Sequence, residues 1–250
     1  MNKKRKRQEN PAAVQTNAKG KPVTNKILLG MSDAEFHKIC PYLEFVELPQ
    51  RFSLHEPNHK MEFAYFLNRG LASIVVSTRD GRDVEAGVVG YEGFVGTAPA
   101  VCLFRSPLCE VMQISGDGFR VKASALHNAL QLTPDFQMSF SRNAVLQGMQ
   151  VAHTAACNRL HDGEQRLARW LLMAEDRVKT AKLTMTHDFL ATMLGTDRPS
   201  VSLAAAGLQQ RGTIQYHRGD VKITNRRKLE TSACECYRVI QKLNGELELN

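Results

Sequence analysis

The spacing of hydrophobic positions changes character three times along this chain. Residues 1–26 carry no apolar period and are rich in Lys, Asn, Gln, Ala and Pro, so they read as a basic disordered tail. Residues 32–39 carry a short helical pattern. Ser32 stands at its cap, Glu35 at the third helical position, and Phe36 and Ile39 make an apolar pair. From Leu43 the pattern shortens into β-segments at 63–67, 71–78, 83–89 and 109–115. Asn68-Arg69-Gly70 closes the first segment, Asp80-Gly81 makes a hairpin turn, and Gly116-Asp117-Gly118 ends the last. Many short strands joined by tight turns predict an antiparallel barrel or roll rather than a parallel α/β sheet.

A helical period returns at Pro134 and runs to about residue 159. Its apolar residues, among them Phe136, Phe140, Leu146, Met149 and Val151, form no clean heptad, so packing on more than one face is expected. Asp162 with Gln165 is a capping box for the next helix, whose core stripe is Leu167, Trp170, Leu171, Ala174 and Val178.

The segment 184–228 is the most informative. Thr186 can cap a helix through Leu194 that buries Phe189, Leu190, Met193 and Leu194, with Gly195 just past its end. Asp197 can cap a second helix with Pro199 in its first turn, where the missing N–H costs nothing. Val201, Ala204, Ala205 and Leu208 form its inner stripe, and Gly212 stops it. Residues 213–216 and 221–224, joined by His217-Arg218-Gly219-Asp220, read as a two-stranded wing. Helix, turn, helix and wing make a winged helix-turn-helix, whose second helix enters the major groove by its N-terminus.

Charge sharpens this reading. The net +8 is mostly the tail, whose eight Lys and Arg include the run Lys3-Lys4-Arg5-Lys6-Arg7. The window 184–228 is nonetheless basic by itself. It holds Arg198, Arg211, Arg218, Lys222, Arg226, Arg227 and Lys228 against Asp188, Asp197 and Asp220. Positive charge thus gathers where phosphate contacts are needed. The candidate DNA-contacting set is Thr186, Asp197, Arg198, Ser200, Val201, Ser202, Leu203 and Arg218. Arg198 can fork onto a guanine edge or a phosphate, the serines can reach either, and Leu203 can touch a thymine methyl. The free N–H groups at the Thr186 helix start suit a phosphate.

Other chemistries find little support. The eight histidines are dispersed, and no G-x-S-x-G, Walker-type loop or H-E-x-x-H occurs, so no enzyme is expected. No apolar run spans a membrane and no secretory signal follows the basic start, which predicts a cytoplasmic protein. The six cysteines form no C-x-x-C and no zinc-finger spacing, so no metal or other cofactor is expected and the thiols read as reduced and mostly buried. The alternative at Cys234-x-Cys236 is a redox pair or metal ligands. None precedes Cys40, which excludes an iron–sulfur cluster held by N-terminal cysteines.

These residues resemble the Crp/Fnr family of bacterial regulators over about 27–240. The resemblance is strongest in LTMTHDFLATMLGTDRPSVSLAAAGLQQRGTIQYHRGD (183–220) and clear in FLNRGLASIVVSTRDGRDVEAGVVGYEGFVG (66–96). It implies an α+β chain: a jelly-roll-like, cyclic-nucleotide-type antiparallel β-roll at 27–133, a long dimerisation helix at 134–160, and a winged helix-turn-helix at 161–240. The implied partners are double-stranded DNA with a near-palindromic operator, a second copy of the chain, and RNA polymerase. CECYRV (234–239) looks like a tail seen in one branch of the family.

Two departures qualify the expectation. Gly90, Glu92 and Gly93 occupy the place of the family's ribose-binding segment, and Arg105-Ser106 resembles its phosphate grip. Pro107 follows, however, and only Leu108 separates it from the next strand, whereas the gripping arginine normally stands farther ahead. The roll is therefore expected to have an unknown or vestigial effector. Pro199 and Leu203 replace residues of the best-known recognition helices, which predicts a different operator. The competing reading is a cyclic-nucleotide or small-molecule sensor whose main output is not DNA binding.

Overall fold

The computed structural model describes residues 15–217 and 219–245. The described chain starts packed on the roll. Thr16 bridges Pro22, Val23 is buried, and Asn17 donates from its side chain to the Leu43 carbonyl. Asn25 is wholly buried. It caps α1 (Lys26–Leu29) and donates to the carbonyls of Leu67 (2.9 Å) and Gly93 (2.7 Å). Residues 15–26 are therefore not part of a disordered tail. Their polar side chains satisfy backbone groups of the roll instead of water, which composition does not reveal. Lys3 to Arg7 lie outside the described residues.

Ser32 caps α2 (Asp33–Ile39). Then come β1 (Glu44–Leu48), β2 (Ser53–His55), β3 (Phe63–Ser77), β4 (Asp83–Val89), β5 (Phe94–Val95) and β6 (Cys109–Lys122). All pairings are antiparallel, in the order β1-β6-β3-β4, with β2 also on β6 and β5 on β3. The roll is as expected, but two of its strand ends are not. β3 runs straight through Asn68-Arg69-Gly70, and β6 runs through Gly116-Asp117-Gly118. These glycines are places of close approach, not turns. A Cβ on Gly116 would stand 2.0 Å from the Arg69 carbonyl oxygen, and one on Gly118 2.3 Å from that of Phe66. Gly70 has φ +94°, and the register slips between Leu67 and Ala72. The two long strands bulge past each other there, and only glycine fits.

α3 (Ala123–Leu132) leads to α4 (Pro134–Leu160). The buried face of α4 is Phe136, Phe140, Asn143, Gln150, Thr154 and Cys157. Its upper half stacks Phe140 on Phe94 with ring centres 3.8 Å apart. Its lower half is polar and holds the sheet through amides: Gln147 donates to the Phe94 carbonyl and Gln150 to that of Val88, each at 2.8 Å.

Asp162 and Gln165 form the expected capping box on α5 (Gly163–Val178). Beyond it lie β7 (Lys182–Thr184), α6 (His187–Leu194), α7 (Arg198–Gln210), β8 (Ile214–His217), β9 (Asp220–Ile223), α8 (Arg226–Ser232) and α9 (Cys236–Gly245). The small sheet has the order β7-β9-β8. The core of this half is continuous with the roll: Leu71, Val75 and Val88 pack in one cluster with Trp170, Leu171, Leu190, Val201 and Leu208. Trp170 is buried and donates to Glu85 of β4 at 2.8 Å. α9, at the segment read as a tail, closes the fold. Its Tyr237 hydroxyl donates to Asp176 and receives a hydrogen bond from Arg226.

Candidate nucleic-acid interface

Local chemistry places α6 and α7. The Thr186 hydroxyl accepts from the Phe189 N–H at 3.2 Å and starts α6, and Gly195 (φ +57°) turns the chain beyond its end. Asp197 accepts from the Ser200 N–H at 2.7 Å and starts α7, with Pro199 in the first turn. Hydrogen bonding to Ser200 holds the Asp197 carboxyl below its usual range. The inner faces meet through Leu190, Ala191, Leu194, Val201, Ala204 and Ala205.

The outer face of α7 presents Arg198, Ser200 and Leu203. Leu203 is 77% exposed, the most open large apolar side chain among the described residues. Arg198 lies 3.6 Å from Asp188, with both side chains open to water, so solvent screens that pair. Ser202 is half turned inward. Its hydroxyl meets His187 Nδ1 at 2.8 Å and the Arg198 carbonyl at 3.0 Å. His187 stacks on Tyr216 of β8, ring centres 4.1 Å apart, so one side chain ties α6, α7 and the wing together. Burial, and then the charge of Arg198, hold this imidazole below its ordinary pKa.

Several expectations change. Val201 is 1% exposed and faces the core, so it cannot touch DNA. Its neighbours one and two positions on, Ser202 and Leu203, lie on other faces because successive helix residues are rotated by about 100°. Asp197 has its carboxylate committed to the cap. Arg218 lies outside the described residues. The local charge is also smaller at the surface than the count suggests. Arg226 is held by Glu175, Asp176 and Glu230, and Arg211 by Glu164. The His187–Tyr216 brace was not anticipated, because no local pattern links residues in α6 and β8.

The candidate effector residues each have partners within the chain. Glu92 is buried and accepts from Arg177 Nε of α5 at 2.7 Å and from the Gly90 N–H at 3.2 Å. Gly90 leaves room for that arginine: a Cβ there would lie 2.8 Å from Arg177 Cγ. Gly93 packs under Asn143 of α4. Arg105 instead donates to the Asn58 carbonyl at 2.6 Å, and Ser106 accepts from the Leu108 N–H at 3.1 Å. The cysteines depart from the scattered pattern too: folding gathers Cys157, Cys234 and Cys236 around His161. The signal for half of that group, a Cys and a His four apart at the end of a helix, is present in the sequence.

Residues 165–232 match the family model of the Crp-like helix-turn-helix domain. A search of curated proteins finds no match. Three solved structures share the fold. The c-di-GMP-responsive global regulator CLP of Xanthomonas campestris is 15% identical with TM-score 0.64, over 77% of this chain and 99% of that one. FixK2 of Bradyrhizobium japonicum is 15% identical with TM-score 0.61, over 77% and 98%. A CRP-family transcriptional regulator of Thermus thermophilus is 22% identical with TM-score 0.62, over 75% and 96%. The class that these likenesses define is one of fold: an antiparallel β-roll with a Crp-like helix-turn-helix domain. In this chain the Crp-like domain follows an antiparallel β-roll. No helix among the described residues is long and apolar enough to cross a membrane.

Proposed function

We propose that the protein is a dimeric, sequence-specific transcription regulator whose α7 reads the major groove, and whose roll has lost the usual nucleotide site. The outer face of α7 carries the reading. On a helix whose other face is locked into the core, an exposed arginine and an exposed leucine supply a fork for a guanine edge and a contact for a thymine methyl.

Dimerisation is supported by the second face of α4. Met138, Val145, Met149 and Leu160 are exposed, with Ala152 and Ala156 filling the intervals. Two such faces packed together would set two recognition helices against half-sites about 34 Å apart. Selection of bound DNA from a random pool is expected to enrich a near-palindrome. Arg198→Ala should then cost about 1–3 kcal/mol of binding at one base position. An even loss over all sequences would make Arg198 a phosphate contact. Failure to enrich any sequence would refute the proposal.

The roll's nucleotide place is filled by the chain itself. Arg177 takes the carboxylate that the resemblance offers to a ribose, and Arg105 is turned to Asn58. Operator binding is therefore expected without added nucleotide, and isothermal titration with cyclic AMP or cyclic GMP is expected to give no binding heat. A nucleotide-dependent gain in operator affinity would overturn this part of the reading. It would leave α7 as the reading head.

A further inference from the structure

Three sulfurs and an imidazole meet where the end of α4 touches the C-terminal segment. Cys157 and His161 stand one helical turn apart, so both donors share a face. Cys234 lies between α8 and α9, and Cys236 opens α9. The Cys157 and Cys234 sulfurs are 3.5 Å apart, and Cys236 Sγ is 3.8 Å from His161 Nδ1. All four donor atoms lie within 4.8 Å of one another. With Zn–S near 2.3 Å and Zn–N near 2.0–2.1 Å, a tetrahedral ion spaces its ligand atoms roughly 3.5–3.8 Å apart. The metal-free geometry is thus close to that of a ligated ion, and too tight to enclose an iron–sulfur cluster.

Two independent features surround the group. Arg166 and Arg169 each bury an Nε–H that has no hydrogen-bond partner. Arg169 bears electrostatically on Cys157 and Cys236, and Arg166 on Cys157 and Cys234. Beside three neutral thiols those two Nε–H groups stay unanswered, whereas three thiolates around a divalent ion carry a net charge of −1 that both cations favour. On the other side of the imidazole, Nε2 faces the Glu235 carboxylate at 3.3 Å. A carboxylate there keeps the proton on Nε2 and leaves the Nδ1 lone pair turned to the sulfurs, the usual support of a metal-binding histidine.

We propose that Cys157, His161, Cys234 and Cys236 bind one Zn²⁺ in a closed tetrahedral site that fastens the C-terminal helix to the end of the long helix. Three buried sulfurs with one nitrogen suit zinc. Four protein donors leave no open position, so the ion is structural. On binding, the three thiols release their protons to solvent and His161 ligates as the neutral imidazole. The ion sits at the hinge: α4 ends at Leu160 and α5 starts at Gly163, with the ligand His161 between them. The pose of the helix-turn-helix against α4 then depends on metal.

The test is metal analysis of the full-length chain, purified reduced and without a histidine tag. One zinc per chain is expected, released in step with mercurial titration of the thiols. Co²⁺ taken up in its place should show the intense sulfur-to-cobalt charge-transfer and tetrahedral ligand-field bands. Cys234→Ser and His161→Gln should weaken zinc binding by more than about 100-fold, the upper end of what losing a supporting residue does. Cys102→Ser, at an exposed cysteine far from the group in sequence, should not change it. Zinc content well below one per chain after reconstitution would overturn the proposal. So would unchanged binding in Cys234→Ser, or a Cys157–Cys234 disulfide that forms in place of metal uptake. The measurement on the unaltered chain stands even if a variant misfolds. It uses no DNA, so its failure is separable from failure of the DNA-binding reading.

Discussion

Replacing Arg177 with methionine is expected to lower the unfolding free energy by about 3–5 kcal/mol, because Glu92 would be left charged and alone in the interior. Side-chain exposure is 3% for the arginine and 9% for the glutamate, so water screens the pair little. Arg177 Nε donates to Glu92 at 2.7 Å, Nη1 to the Met173 carbonyl at 3.0 Å and Nη2 to Gln150 at 3.1 Å. One guanidinium thereby joins the β4–β5 turn, α4 and α5. Glu92 Oε2 is buried without a partner, so the arginine is its main source of compensation. The measurement is denaturant unfolding of Arg177→Met beside the double variant Arg177→Met/Glu92→Gln. The double variant buries no charge and should recover most of the loss. A single-variant cost below about 1 kcal/mol would show that the carboxylate finds water or another partner, and that the pair does not hold the halves together.

The second large effect is on pH. Burial lifts the Glu85 carboxyl to about 7, against hydrogen bonds from Ser73 and Trp170 and the charges of Arg169 and Arg177, which act the other way. The folded protein then keeps a proton that the unfolded chain has already released. Between the ordinary value of 4.5 and about 7, unfolding releases that proton, so rising pH favours the unfolded chain. Below 4.5 both states are protonated, and above about 7 both are ionised. This one group should therefore cost about 3 kcal/mol across the window. Other groups titrate there too, so the comparison that isolates Glu85 is with Glu85→Gln. The amide retains an oxygen for Trp170 and a donor for Ser73. The variant should match the parent near pH 4.5 and exceed it by a similar amount at about pH 8. Parallel stability curves for the two proteins would show that Glu85 does not carry the proton.

Both effects act on the seam between the roll and the helix-turn-helix half, which the sequence did not disclose. Glu85 and Trp170 are 85 residues apart, as are Glu92 and Arg177. No periodic pattern registers a contact at that distance. The glycines at 70, 116 and 118 misled in a related way. Glycine marks turns and close approaches alike, and only the crossing of β3 and β6 distinguishes the two. Asn17 and Asn25 looked like solvated polar residues and are buried because the roll offers them carbonyls.

The sequence by itself determined what short-range chemistry can determine. The caps at Thr186, Asp197 and Asp162, the left-handed Gly195 and the paired wing strands all satisfy backbone groups within a few residues, so the helix-turn-helix was legible before any packing was known. Tertiary structure decided which side chains of that motif are available. It buried Val201, opened Leu203, turned Ser202 to His187 and tied Arg226 to three acids from α5 and α8. It also committed the Glu92 carboxylate to Arg177 and gathered Cys157, His161, Cys234 and Cys236 at one point. Those outcomes depend on which distant groups meet in a low-dielectric interior, where an unpaired charge or polar group is costly. That cost is set only when the whole chain has folded.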